Sequence, residues 1–385
     1  MGRLCWGHTP CNPRLKRIFR EPSNMSPIPF AVIGSGWRAS FFLKVASVLP
    51  EHFRAVGIVT GRSETERKAL AEHWNVPTFG SVDALVAAAR PEFAVVSVRT
   101  DEIVARISEL AARGLPILAE TPVAPDHEGL LALHRLVEAG AKIEVAEQYF
   151  LHPVISAMRS MIADGLIGTP NYAHVSVIQT YHNISLMRKL LGIGFENATV
   201  TANSFALPVV KGPGRYDQPE RMDVVAACQT IATFDFNGKV GVYDFAEAQH
   251  RSRIRAPRIT VRGERGEITP ERADYLIDAR RPVTVELARV DKGHFMNFEG
   301  YHHHAIMAGG RYVYENPFPG PHLTDDEIAV ATCLQNMGRF VEKGISSYSF
   351  AGAAQDCYLA EVMRKAAADK APVTSETQAW RRATC

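Results

Sequence analysis

The chain has 385 residues, 46% of them hydrophobic and 22% charged, and its 43 Lys and Arg against 41 Asp and Glu give a formal net charge of +2. That length suits two domains with ample buried core, and the balanced charge gives no bulk attraction to nucleic acid or anionic membranes. The six cysteines, at 5, 11, 228, 333, 357 and 385, form no CxxC pair, so neither a disulfide framework nor a metal site is expected, and a reducing, cytoplasmic setting is.

In chain order, residues 1–24 are basic and lack an apolar segment. They cannot be a secretory signal, no later run is long enough to span a membrane, and the segment reads as a disordered extension. A strand over 29–33 leads into a glycine turn and a helix carrying Trp37, Phe41, Phe42, Val45 and Leu49 at helical spacing. Strand 55–59, helix 68–74, a short extended piece at 76–79 and a helical stripe over Val82, Leu85, Val86 and Ala89 follow. Strand 93–98, helix 103–111 ended by Gly114, strand 115–120, a helix over Leu130, Leu133 and Val137, and strand 142–147 complete the first half. Apolar strands without polar alternation, separated by amphipathic helices, predict an α/β fold: a doubly wound parallel Rossmann domain over 25–150.

After 150 the rhythm changes. A helix over 154–164 precedes longer alternating strands at 171–179, 199–205, 226–236, 240–248, 258–263 and 283–290, with Asn237-Gly238 as a hairpin turn. Two amphipathic helices, near 324–343 and 351–369, close the chain. Residues 151–385 therefore read as an α+β domain with a large, mostly antiparallel sheet for substrate binding and oligomerisation.

Gly34-Ser35-Gly36-Trp37-Arg38-Ala39 follows the first strand and opens the first helix, matching G-x-G-x-x-A. The first Gly permits the tight turn, the second admits a pyrophosphate close to backbone N–H groups, and Ala39 allows close helix–strand packing. The helix N-terminus adds a positive pole, so NAD or NADP is expected against Gly34, Gly36, Trp37 and Arg38. At the ribose position the chain reads Thr60-Gly61-Arg62-Ser63 instead of an acid. Arg62 is either a 2′-phosphate ligand, favouring NADP, or a solvated surface residue.

The order of these features resembles the Gfo/Idh/MocA superfamily of nicotinamide-dependent oxidoreductases, from Ile28 to about Pro372. Ala119-Glu120-Thr121-Pro122 stands where that family usually carries Glu-Lys-Pro, QYFLHP (148–153) resembles its tyrosine-containing entry to the second domain, and DGLIGTP (164–170) is similar to its next segment. His182 to Gly192 resembles the helix bearing the family's active-site His. The resemblance implies hydride transfer at a carbohydrate hydroxyl, substrate contacts from the open sheet, and a homo-dimer or tetramer through that sheet. Three departures stand out: Thr121 replaces the Lys, Ile178 the Asp four residues before the His, and Ser185 the acid three after it. Arg99-Thr100-Asp101 replaces the family's more usual Thr-Pro-Asn near the nicotinamide, so Arg99 joins Glu120 and Thr121 as a cofactor-side candidate.

An imidazole suits proton removal from a carbinol near neutral pH, which makes His182 the candidate base. Tyr149 and Tyr181 are candidate proton relays, and His152 with Arg215 and Arg221 are candidate substrate contacts for a carboxylate, sulfonate or phosphate. Each also has a plainer reading as packing or solvated charge. Tyr301-His302-His303-His304 reads as a loop at the surface or substrate rim, because consecutive His side chains do not converge on one ion. The loop 212–223 has the glycines, prolines and charges of a lid. Three functions remain open: an NAD(P)-dependent dehydrogenase or reductase on a sugar, sugar acid or glycoside; a redox-neutral, NAD-dependent glycosidase, the class in which some relatives also lack the Lys; and a cofactor-binding sensor without catalysis.

Overall fold

The computed structural model describes residues 26–293 and 300–384, with side-chain surroundings through 381. The predicted disordered extension at 1–24 lies outside the described residues. Among the described residues, no helix is long and apolar enough to cross a membrane.

The first half alternates strands β1 (Ile28–Ile33), β2 (Phe53–Val59), β3 (Thr78–Phe79), β4 (Phe93–Val96), β5 (Ile117–Ala119) and β6 (Ile143–Val145) with helices α1 (Trp37–Val48), α2 (Glu64–Trp74), α3 (Val82–Ala88), α4 (Thr100–Ala111) and α5 (His127–Glu138). The strands pair in parallel in the order β3-β2-β1-β4-β5-β6. β4, β5 and β6 are buried at every position, which is why they showed no polar alternation. Helix α2 starts earlier than its apolar spacing predicts, because Ser63 and Glu66 form a capping box that satisfies its first N–H groups.

The second half runs α6 (Pro153–Ala163), β7 (Pro170–Ser176), α7 (Tyr181–Leu191), β8 (Thr199–Val210), β9 (Val224–Asp235), β10 (Val240–Ala246), β11 (Arg258–Gly263), β12 (Gly266–Ile268), β13 (Arg272–Asp278), β14 (Arg281–Gly293), β15 (Tyr301–Ala308), β16 (Arg311–Glu315), α8 (Asp325–Lys343), α9 (Phe350–Asp369) and β17 (Val373–Thr374). Its sheet has eleven strands in the order β16-β15-β14-β13-β12-β11-β7-β10-β9-β8-β17. Among the described residues, only the β7–β10 pair of this sheet is parallel. Asn237 and Gly238 both take positive φ, 58° and 102°, as the predicted hairpin turn requires.

The Tyr301–His304 segment corrects the sequence reading. It is not a loop but the start of β15, paired with β14 and β16. His303 turns inward and is buried, with Nδ1 3.3 Å from Asp291 Oδ1, while His302 and His304 fall on the other face. A histidine in a buried slot hides the period-2 pattern from a reading based on apolar residues. β12, β13, β16 and β17 were missed as well; β12 and β17 span only three and two residues.

The last two helices return to the first domain. α8 shares a buried cluster with α1 through Phe318, Leu334, Met337, Phe42 and Val45, and α9 lies in the cluster joining Leu133 to Leu186 and Phe234. α7 is tied to α9 by a buried ion pair, Arg188 Nη1 to Asp356 Oδ1 at 2.5 Å, and the Tyr348 hydroxyl donates to Asp356 Oδ2 at 2.5 Å. Burial holds the Asp356 carboxyl above its ordinary range despite Arg188. Removing one member strands the other charge inside the protein. Asp356→Ala is therefore expected to lower unfolding stability by about 3–5 kcal/mol, measured as a shift of the urea midpoint at unchanged slope.

Candidate active site

Between the two sheets lies a cleft of about 950 Å³. Its floor on the Rossmann side is the turn after β1. Gly34 sits at φ +116°, and a Cβ there would lie 2.0 Å from the Ser97 carbonyl oxygen of the neighbouring strand's end. Only glycine fits that turn. Gly36 differs: a Cβ there would meet nothing within 4 Å, so its backbone opens onto the cleft at the α1 N-terminus. Two peptide-bearing positions, one forced to be glycine and one left open, fit a pyrophosphate seated on a helix N-terminus.

The predicted cofactor-side residues surround this turn. Ser35 Oγ lies 2.9 Å from Thr60 Oγ1 and accepts from Arg62 Nε at 2.9 Å, while Arg62 also faces Glu66 at 3.3 Å. Arg38 donates from Nε to Glu120 at 2.7 Å, its guanidinium lies over Phe41 and Phe42, and its buried Nη2 has no partner among the described residues. Trp37 is 42% exposed, and the Arg215 guanidinium stacks over its ring at 4.1 Å. Arg99 lines the cleft but is engaged by Asp101 at 2.7 Å. Gly34, Gly36, Trp37, Arg38, Arg62, Arg99, Glu120 and Thr121 thus all line one cleft.

His182 enters from the other side. The turn before α7 is held hard: Thr180 adopts φ +48°, its N–H donates to the Tyr243 hydroxyl at 3.1 Å, and buried Asn183 Oδ1 accepts from Ile178 N at 2.9 Å. A non-glycine residue in this region is strained, and the surrounding bonds over-determine it. The His182 Nδ1 lies 2.5 Å from Glu147 Oε2, and Glu147 is 1% exposed, with Oε1 accepting from the Tyr149 N–H at 3.1 Å. The carboxylate accepts, so Nδ1 carries the proton and Nε2 keeps its lone pair on the cleft side. Tyr149 and Tyr181 flank the ring, with centroids at 4.9 and 4.3 Å. Burial raises both phenols, so both hydroxyls stay protonated and able to donate. Tyr181 and Thr121, the residue standing at the Glu-Thr-Pro segment, both line the cleft.

The remaining candidates divide. His152 does not line the cleft; its Nε2 bonds Asp326 Oδ1 at 3.1 Å and holds that carboxyl, which does line it, below its ordinary range. Arg215 lines the cleft, but Arg221 does not and is exposed farther along the β8–β9 connection. Arg221 was grouped with Arg215 by nearness in sequence, whereas the connection turns between them at Gly214 and Asp217. Sequence reasoning overlooked Glu147, Asn183, Asp326, His250 and Arg251. Glu147 was legible, since it follows a strand at the carboxyl edge just as Glu120 does. Asn183 lies beside His182 but acts through backbone contacts that the sequence does not show, and Asp326, His250 and Arg251 come from distant segments.

The parallel sheet and its glycine turn have the form of an NAD-binding Rossmann fold. Residues 28–149 match the family described as "Oxidoreductase family, NAD-binding Rossmann fold". The chain is 26% identical over 232 residues to the inositol 2-dehydrogenase of Rhizobium meliloti (strain 1021), covering 55% of this chain and 64% of the relative, under two thirds of its length. It superposes on a levoglucosan dehydrogenase in complex with NADH and levoglucosan with a TM-score of 0.67 at 15% identity, covering 91% and 99% of the two chains. An oxidoreductase from Agrobacterium radiobacter in complex with NAD+, L-tartaric acid and magnesium gives a TM-score of 0.63 at 16% identity, covering 90% and 98%. By sequence, residues 28–149 are similar to this NAD-binding oxidoreductase family, and over the remainder the chain shares the fold of these solved structures.

Two outcomes follow from this geometry. Gly34→Ala places a Cβ against the Ser97 carbonyl at a left-handed φ; strain of about 1–3 kcal/mol converts to roughly 5- to 150-fold weaker NAD binding, read by titration calorimetry. Glu147→Gln keeps the shape but loses the charge that holds Nδ1–H, and turnover is expected to fall about 10²- to 10⁴-fold with NAD affinity unchanged.

Proposed function

We propose that the chain is an NAD(P)-dependent oxidoreductase that moves a hydride between the nicotinamide and a hydroxyl-bearing carbon of a carbohydrate. The observation that carries this reading is His182, with Nδ1 committed to buried Glu147 and the ring facing the same cleft as the glycine turn. The sugar-dehydrogenase neighbours support the substrate class by analogy.

When bound, the dinucleotide supplies a two-electron hydride acceptor. This chain's residues handle the proton. In the oxidative direction His182 Nε2 takes the hydroxyl proton as the C–H electron pair leaves and the C=O bond forms. Glu147, itself buried, stabilises the imidazolium across a 2.5 Å hydrogen bond. Tyr149 and Tyr181, both held neutral, orient the substrate oxygens by donating to them. Arg62, which donates to Ser35 on the glycine turn, supports a 2′-phosphate contact and so the use of NADP as well as NAD. The exposed run of β8 and β9, including Phe205, Leu207 and Val224, supports a homo-oligomer built on the open sheet, and we place the reaction in the cytoplasm.

One observation favours a second reading, the redox-neutral glycosidase. Thr121 supplies no cation, yet two phenols, Tyr149 and Tyr181, flank the His182 ring at 4.9 and 4.3 Å. Oxidation, elimination, water addition and re-reduction would need such a set. Purified protein is to be mixed with NAD or NADP and a panel of free sugars and aryl glycosides, with reduced nicotinamide and released aglycone followed together. Accumulating reduced nicotinamide is expected, and His182→Ala should lower its rate by about 10²- to 10⁴-fold. Aglycone release without net reduction would select the second reading.

A further inference from the structure

The cleft carries more arginine than its cofactor side needs, and the surplus is unpaired. Four of its arginines have acidic partners: Arg38 with Glu120, Arg62 with Glu66, Arg99 with Asp101 and Arg106 with Glu109. Arg215 and Arg251 line the same cleft from the second domain and have no carboxylate within ion-pair distance among the described residues. Asp326, the acid nearest in kind, is already engaged by His152.

These two arginines sit on segments tied to one another, Arg215 exposed at the cleft's outer edge. Arg251 follows β10 in a segment stapled to β7 by Gln249, whose Nε2 donates to the Ser176 carbonyl at 2.9 Å. Arg253 donates to Gln218, which ties this segment to the β8–β9 connection that carries Arg215. Arg251 is half-buried. His250 beside it also faces the cleft; burial first, then the charges of Arg251, His182 and Arg215, push its imidazole below the ordinary value, so it adds a neutral hydrogen-bonding group. His182, Arg215, His250 and Arg251 all line this one cleft.

We propose that the substrate is an anion, a hydroxylated acid whose carboxylate is received by Arg251 with Arg215 beside it while the reacting hydroxyl lies against His182. The proposal rests on the oxidoreductase reading for the hydroxyl and stands on the unpaired arginines for the acid. A guanidinium fork matches a carboxylate in two parallel N–H···O bonds, and a partly dry cleft strengthens both. Neutral sugars would leave the two cations unanswered, so the same feature that attracts an acid selects against its neutral counterpart. Arg215 also touches Trp37 at the start of α1, where a pyrophosphate would sit, so the test must separate the substrate's charge from the cofactor's.

The NAD-saturated protein is titrated by calorimetry with gluconate and glucuronate, with glucitol and glucose as neutral counterparts, and with glucose 6-phosphate. The acids are expected to bind on the order of 10- to 100-fold more tightly than the neutral compounds, the size of a charge-assisted contact. Arg251→Gln should erase that preference and leave NAD affinity within about twofold of the parent, while Arg251→Lys should restore part of it. Equal binding of acids and neutral compounds overturns the proposal. So does a loss of NAD affinity in Arg251→Gln without change in acid preference, which would assign the arginine to the cofactor. Preference for the phosphate over both carboxylates overturns the carboxylate assignment. Tight acid binding with no reduced nicotinamide formed from any compound upholds the anion site and overturns the oxidoreductase reading instead.

Discussion

The hydrogen bond between Glu147 and His182 is the constraint on which the site depends. It joins the carboxyl end of the last strand of the parallel sheet to the first turn of α7 in the second domain. A buried carboxylate costs free energy unless it is answered, and here the Tyr149 N–H and the imidazole answer both oxygens. Because the bond crosses the domain junction, it fixes the ring's tautomer, its direction and the relative placement of base and cofactor floor at once.

Much of the second domain serves to hold α7 in that position. The strained Thr180, the Asn183 clamp and the Arg188–Asp356 pair fix the helix at its start and along its length. The aromatic rings of Tyr149 and Tyr181 close on the imidazole and keep their own protons by being buried. Thr121 supplies no charge to this group, so in the proposed reaction proton handling falls to His182 and its carboxylate, and in the proposed anion site the charge comes from Arg215 and Arg251.

The parallel sheet was legible because burial on both faces leaves unbroken apolar strands, and the glycine turn because Gly34 has no sterically allowed substitute against Ser97. His182, Tyr149 and Tyr181 could be nominated from their segments, and they converge. Glu147 went unnoticed although it ends a strand at the ligand-binding edge. The histidine run misled, because His303 occupies a buried strand position where an apolar residue would have revealed the alternation.

Local physics, which is periodicity, turn chemistry and the spacing of glycines, is written along the chain, so the sequence by itself determined the two kinds of sheet, the glycine turn and the segment that bears His182. Which charges meet is a matter of three-dimensional closure. Glu147 and His182 are 35 residues apart, Arg188 and Asp356 are 168 apart, and His152 and Asp326 are 174 apart. Only the folded chain decides that those carboxylates are answered while Arg215 and Arg251 are left open to the cleft, because pairing in a dry interior depends on distance in space and not on order in the chain.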